Sequence, residues 1–115
     1  MNTRALGRIG EDVVERYLVE TMHARILDRN FTVRGGEIDL IAELDEKILF
    51  VEVKLRRGSS GLDSINYAKM KHLSRAAMIY LQRHHLTDRI ARFDLAIVHP
   101  PSTVDYLERA FDYTP

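Results

Sequence analysis

A chain of 115 residues, 45% hydrophobic and 30% charged, has room for a single core and reads as one soluble domain over residues 1–115. With no cysteine it can form neither disulfides nor thiolate metal sites, and it suits a reducing cytoplasm. A formal net charge of zero excludes a global basic field, and no apolar run approaches the ~20 residues that span a bilayer, so no membrane partner is expected.

The opening Met1-Asn2-Thr3-Arg4 leads straight into a charged helical pattern rather than a signal peptide. At about 100° per residue, Leu6, Gly10, Val13, Val14, Tyr17 and Leu18 fall on one face, which predicts a helix from about Thr3 to Met22. Glu11 falls beside that stripe, where it can reach into a cleft without full burial. A strand of poor alternation follows from about Ala24 to Val33, and Gly35-Gly36 breaks the chain after it.

Two segments then alternate with period two. In the first, Ile38, Leu40 and Ala42 point one way and Glu37, Asp39 and Ile41 the other. In the second, Leu49, Val51, Val53 and Leu55 oppose Ile48, Phe50, Glu52 and Lys54. The short polar connector Leu44-Asp45-Glu46-Lys47 predicts a hairpin. A turn centred on Asp45-Glu46 sets Ile41 against Phe50, Asp39 against Glu52 and Glu37 against Lys54. That register places two carboxylates across from each other at roughly 4.5–5.5 Å between Cβ atoms, which is destabilising unless a cation sits there. Hard oxygen donors at that spacing suit Mg²⁺ or Mn²⁺, with the Val53 carbonyl as a further ligand. Lys54, one side-chain step beyond Glu52, is placed to position an attacking water or to stabilise charge on a phosphate. The competing reading is a solvated hairpin face with a Glu37–Lys54 cross-strand pair.

Gly58-Ser59-Ser60-Gly61 reads as a flexible loop, either a surface connector or an element that touches substrate. A second helix is predicted from about Ser64 to His85, with Met70, Leu73, Ala77, Tyr80, Leu81 and His84 as its apolar stripe. Between Lys54 and Arg75 six basic residues, Lys54, Arg56, Arg57, Lys69, Lys71 and Arg75, meet one acid, Asp63. Beside a metal-binding pair, that balance reads as a phosphate-contacting surface formed by Arg56, Arg57, Lys69, Lys71 and Arg75. Arg92 to Val98 is a further strand, in which Asp94 is expected to hydrogen-bond basic side chains of the sheet. Pro100-Pro101 ends it, and a last short strand covers Val104 to Arg109. Its apolar Val104, Tyr106 and Leu107 offer an edge for a homodimer. The helical crossover between the third and fourth strands makes that pair parallel. The fold class is therefore α/β, a mixed central sheet flanked by helices. There is no phosphate-binding glycine loop, nucleophile elbow or zinc spacing, and the five histidines are scattered.

An acid on one strand followed by Glu-x-Lys on the next resembles the PD-(D/E)xK nuclease superfamily. Glu52 follows Asp39 by thirteen positions, within that superfamily's range. The wider pattern is more specific. Gly7-x-x-Gly10-Glu11 with Tyr17-Leu18, then Arg29-Asn30-Phe31, Gly36-Glu37-Ile38-Asp39-Leu40-Ile41, Phe50-Val51-Glu52-Val53-Lys54-x-Arg56 and Arg92-Phe93-Asp94 together resemble the YraN family of small, uncharacterised bacterial proteins. The resemblance implies a restriction-endonuclease-like core similar to that of Holliday junction resolvases. By motif match it gives catalytic roles to Glu11, Asp39, Glu52 and Lys54, and a supporting role to Lys69. It implies a Mg²⁺-dependent nuclease acting on DNA, including branched or repair intermediates. A non-catalytic nucleic-acid or protein interaction module on the same fold is the alternative. Three positions depart from the pattern: Ile38 precedes Asp39 in place of proline, Val14 replaces an alanine, and Met22-His23 occupies the region of an expected glycine.

Overall fold

The computed structural model describes residues 3–56 and 67–115. Its elements follow the expected order: α1 (Thr3–Glu20), β1 (Arg25–Val33), β2 (Gly36–Leu44), β3 (Lys47–Leu55), α2 (Tyr67–Arg83), β4 (Ala91–His99) and β5 (Thr103–Phe111). The five strands form one sheet in the order β1-β2-β3-β4-β5. Only β3 and β4 run parallel, and α2 lies between them in the chain. This mixed sheet with two helices is compatible with a restriction-endonuclease-like fold. No described helix is long and apolar enough to cross a membrane.

Both helices end where a histidine takes a left-handed conformation. At α1 the amides of Thr21 and Met22 return to the Tyr17 carbonyl, and His23 has φ 62°. At α2 the Leu86 amide returns to the Leu81 carbonyl across His85, φ 56°. Glycine is the residue such ends favour. His23 therefore supplies, at a steric cost, the backbone that the missing family glycine would adopt freely.

The β2–β3 hairpin has the expected register. Leu44 pairs with Lys47, Ile41 with Phe50 and Leu40 with Val51. Asp45 and Glu46 carry φ of 50° and 67°, the two-residue turn whose twist suits antiparallel strands.

The sheet separates two apolar layers. Under α1, Val14, Leu18, Leu40, Leu49, Val51 and Ala96 are buried together. Under α2, Ile38, Ile41, Phe50, Leu73, Ala76 and Tyr80 do the same. Ile38 and Ile41, three residues apart, thus share a layer, whereas strict alternation sets them on opposite faces. The phase of β2 breaks at Asp39–Leu40. Across from Asp39, Asn30 of β1 has φ 55° and falls between the paired residues Arg29–Leu40 and Phe31–Ile38. A left-handed residue inside a strand kinks it. His84, expected on the apolar stripe of α2, is instead exposed and stacks on Tyr80 with centroids 4.1 Å apart.

Where β2 begins, the backbone runs against α2. A Cβ built on Gly36 would collide with the His72 carbonyl oxygen and lie 3.1 Å from the Ala76 side chain. Gly36→Ala is expected to cost about 1–3 kcal/mol, measured by urea denaturation, because the obstacle is helix backbone and cannot rotate away.

Candidate active site

The β2–β3 ladder runs only as far as Leu40–Val51. The Asp39–Glu52 and Glu37–Lys54 pairs lie beyond its end, where the strands part. The Val53 amide instead donates to Asp39 Oδ2 at 2.8 Å. The amides of Ile48 and Arg56 donate to Ile90 and Val98 on the β4 side. Alternate residues of a strand turn their main chain to the same neighbour. Val53 therefore directs both its amide and its carbonyl toward β2. The splayed hairpin leaves a notch whose walls are the Asp39 carboxyl, the Val53 main chain and the Glu52 side chain.

Glu52 is only 6% exposed, on the α2 face of the sheet. Its charge is met by Lys69 Nζ from the first turn of α2, 3.2 Å from Oε1. Lys69 is thus part of the acidic site as well as of the basic segment. Asp39 is held in a protonatable state. Burial, the adjacent Glu52 charge and the Glu11 charge push its carboxyl up to about 7, against the opposing Val53 N–H bond. Two carboxyls so close cannot both ionise cheaply without a cation.

Glu11 approaches from α1. Gly10, the residue before it, packs against Val53, with an ideal Cβ 3.5 Å from Cγ1. Glu11 Oε1 accepts from Asn30 Nδ2 at 3.1 Å and from Arg29 Nε at 3.3 Å. Arg29 also bridges to Asp12, 2.7 Å from Oδ1. Arg29 and Asn30 position Glu11 toward the notch, a role the residue-by-residue reading missed. An asparagine inside a strand was the available signal, since strands disfavour it. Lys54 is half-buried and makes no ion pair among the described residues.

Lys71 is exposed, with Nζ 5.6 Å from the Tyr67 ring centre. Arg75 is exposed and gives its Nε to the Arg34 carbonyl at 3.0 Å, tying α2 to the β1–β2 turn. Arg56 is half-buried at the end of β3. Arg57 and the Gly58–Gly61 loop lie outside the described residues. Asp94 is fully buried, opposite Val51 in the β3–β4 ladder. It accepts from Arg92 Nε, from the Tyr106 hydroxyl at 2.6 Å and from the Arg109 amide at 3.0 Å. Burial and Asp94 hold the Tyr106 phenol far above its ordinary range. Tyr17 stacks on Tyr106 with centroids 5.8 Å apart, so both tyrosines are structural. Val104 and Tyr106 are partly covered by the α1-side core, and Leu107 remains exposed.

The donor chemistry fits a hard divalent cation: two carboxylates and a main-chain carbonyl, all oxygen. Among the described residues no group of three or more histidines and carboxylates forms a cage. Mg²⁺ is commonly held by one or two carboxylates and keeps several waters, so a cage is not required.

A family model described as "Uncharacterised protein family UPF0102" matches residues 10–98. The chain belongs to the UPF0102 family. The match takes in every residue of the notch and stops before β5. UPF0102 proteins similar to this chain include that of Myxococcus xanthus, 39% identical over 95% of this chain and 90% of that protein. That of Marinobacter nauticus is 41% identical over 90% of this chain and 86% of its own length. The Geobacter sulfurreducens protein is 36% identical over 96% and 91%. UPF0102 is uncharacterised, so the family name carries no activity.

Proposed function

We propose that this protein is a Mg²⁺- or Mn²⁺-dependent nuclease that hydrolyses phosphodiester bonds in DNA, branched and repair intermediates included. One observation carries the reading: Asp39 and Glu52 are brought together, largely out of water, at the point where the hairpin opens. Asp39, Glu52 and the Val53 carbonyl would hold the cation. When bound, it would supply an activated water and neutralise charge building on the phosphate. Lys54, one side-chain step beyond Glu52 on β3, would orient that water or meet the phosphate oxygens. Glu11, fixed by Arg29 and Asn30, adds negative charge on the α1 side of the notch and favours cation capture. Lys69, 3.2 Å from Glu52, would also present its charge to an anionic substrate bound at the notch.

A second reading is a non-catalytic nucleic-acid or protein interaction module. The Lys69–Glu52 ion pair favours it, because that pair balances Glu52 without a cation. Cleavage of labelled DNAs, including a four-way junction and a flap, with Mg²⁺ or Mn²⁺ separates the two. Cutting by wild type that falls by about a thousandfold or more in Glu52→Gln supports the nuclease. Binding with no cutting on any substrate favours the module.

A further inference from the structure

South of the notch along α2, the helix and the β1–β2 turn enclose an open groove of about 840 Å³. Arg34, Lys71, His72 and Arg75 line it, and no lining side chain is acidic. Tyr113 borders it, following β5, and is 50% exposed. Tyr113 is held in place by its neighbour: the Thr114 amide donates to Ser74 Oγ at 2.8 Å, and Ser74 is 1% exposed on α2. A smaller cleft lined by Thr32, Glu37, Lys69 and His72 adjoins the groove and shares His72 with it. Lys69 in turn contacts Glu52. From Lys69 to Arg75 the helix rises about 9 Å, and His72, common to both clefts, connects the cationic groove to the cleft of Lys69 and Glu37.

A cationic track bordered by a tethered, exposed aromatic ring matches one class of ligand. Cations follow a phosphate backbone, and an aromatic face stacks on bases that are unpaired. A duplex keeps its base faces covered, so it would use the cations but not the ring. We propose that this groove binds single-stranded nucleic acid, with Arg34, Lys71 and Arg75 at phosphates and Tyr113 stacked on a base. The proposal rests on the nuclease reading only for its direction: the strand leads toward Glu52 and Asp39.

Fluorescence anisotropy of labelled 15-nucleotide oligo(dT) and oligo(U), in EDTA, tests it without any cleavage. Tyr113→Ala is expected to weaken binding roughly tenfold, and Tyr113→Phe to leave it unchanged, because stacking needs the ring and not the hydroxyl. Arg34→Gln with Lys71→Gln is expected to lower the slope of log affinity against log salt by about 1.4, two single-strand phosphate contacts. A blunt duplex should lose nothing with Tyr113→Ala. Loss with either polymer supports the groove. Wild-type affinity and slope in all three variants would overturn it, even if the protein cuts DNA. Conversely, groove binding with no cleavage under any metal would remove the nuclease reading and leave this site standing.

Discussion

Asp39→Asn is expected to make the metal-free protein more stable at pH 8, by on the order of 2–4 kcal/mol. In the folded protein the Asp39 carboxyl sits near 7, raised by burial and by Glu52, against an ordinary value of 3.8. The folded state therefore binds more protons than the unfolded state between about pH 4 and pH 7. Stability is highest below pH 4 as far as this group is concerned, falls as pH rises through the window, and stays low above it. Asparagine cannot ionise, and its Oδ1 can still accept the Val53 amide, so the variant lacks that slope. Urea denaturation in EDTA at pH 5 and pH 8 measures both. With Mg²⁺ or Mn²⁺ the order should invert, because only the wild type gains binding free energy. A variant that is less stable than wild type in EDTA at pH 8 would mean that the carboxylate pair carries no electrostatic strain.

The second large effect is structural. Asp94→Ala is expected to cost about 3–5 kcal/mol, roughly 10–25 °C in melting temperature. The change removes the acceptor for Arg92 Nε, Tyr106 and the Arg109 amide at once. Arg92 has a side chain only 10% exposed, and its Nη2, which makes no hydrogen bond among the described residues, lies 3.4 Å from the exposed Glu108 carboxylate. A buried guanidinium left with only the exposed Glu108 as counter-charge, beside two orphaned donors, is the costly case. Thermal melts followed by circular dichroism decide it. A variant that melts like wild type yet loses metal-dependent cleavage would instead place Asp94 in the active site.

These two acids show what the sequence can and cannot reveal. Asp94, set between apolar neighbours in a strand, reads as a partner for basic side chains of the sheet, and Arg92 is one; the Tyr106 phenol and the Arg109 amide leave no such trace. The hairpin register was legible because period-two burial and a two-residue polar turn leave little choice. The geometry at Asp39 was not. It depends on the kink at Asn30 and on the early end of the ladder at Leu40–Val51, and neither leaves a periodic trace. The alternation around Ile38 failed for the same reason. Charge patterning alone makes Lys69 one of a run of cations; the resemblance gives it a supporting role, and the docking of α2 supplies the contact, with Glu52. Arg29 and Asn30 belong to the motif that carries the family resemblance. What they do, holding Glu11, becomes visible only when α1 lies against β1. Tyr113 lies beyond the last strand, where no pattern assigns it a face.

The most direct test of the metal site is the electron paramagnetic resonance signal of free Mn²⁺, titrated with protein at pH 8. Wild type should remove Mn²⁺ from solution, Mg²⁺ should displace it, and both Asp39→Asn and Glu52→Gln should leave the free-ion signal intact. Equal Mn²⁺ uptake by wild type and both variants, or none by a folded wild type, would contradict the assignment of Asp39 and Glu52 as its ligands.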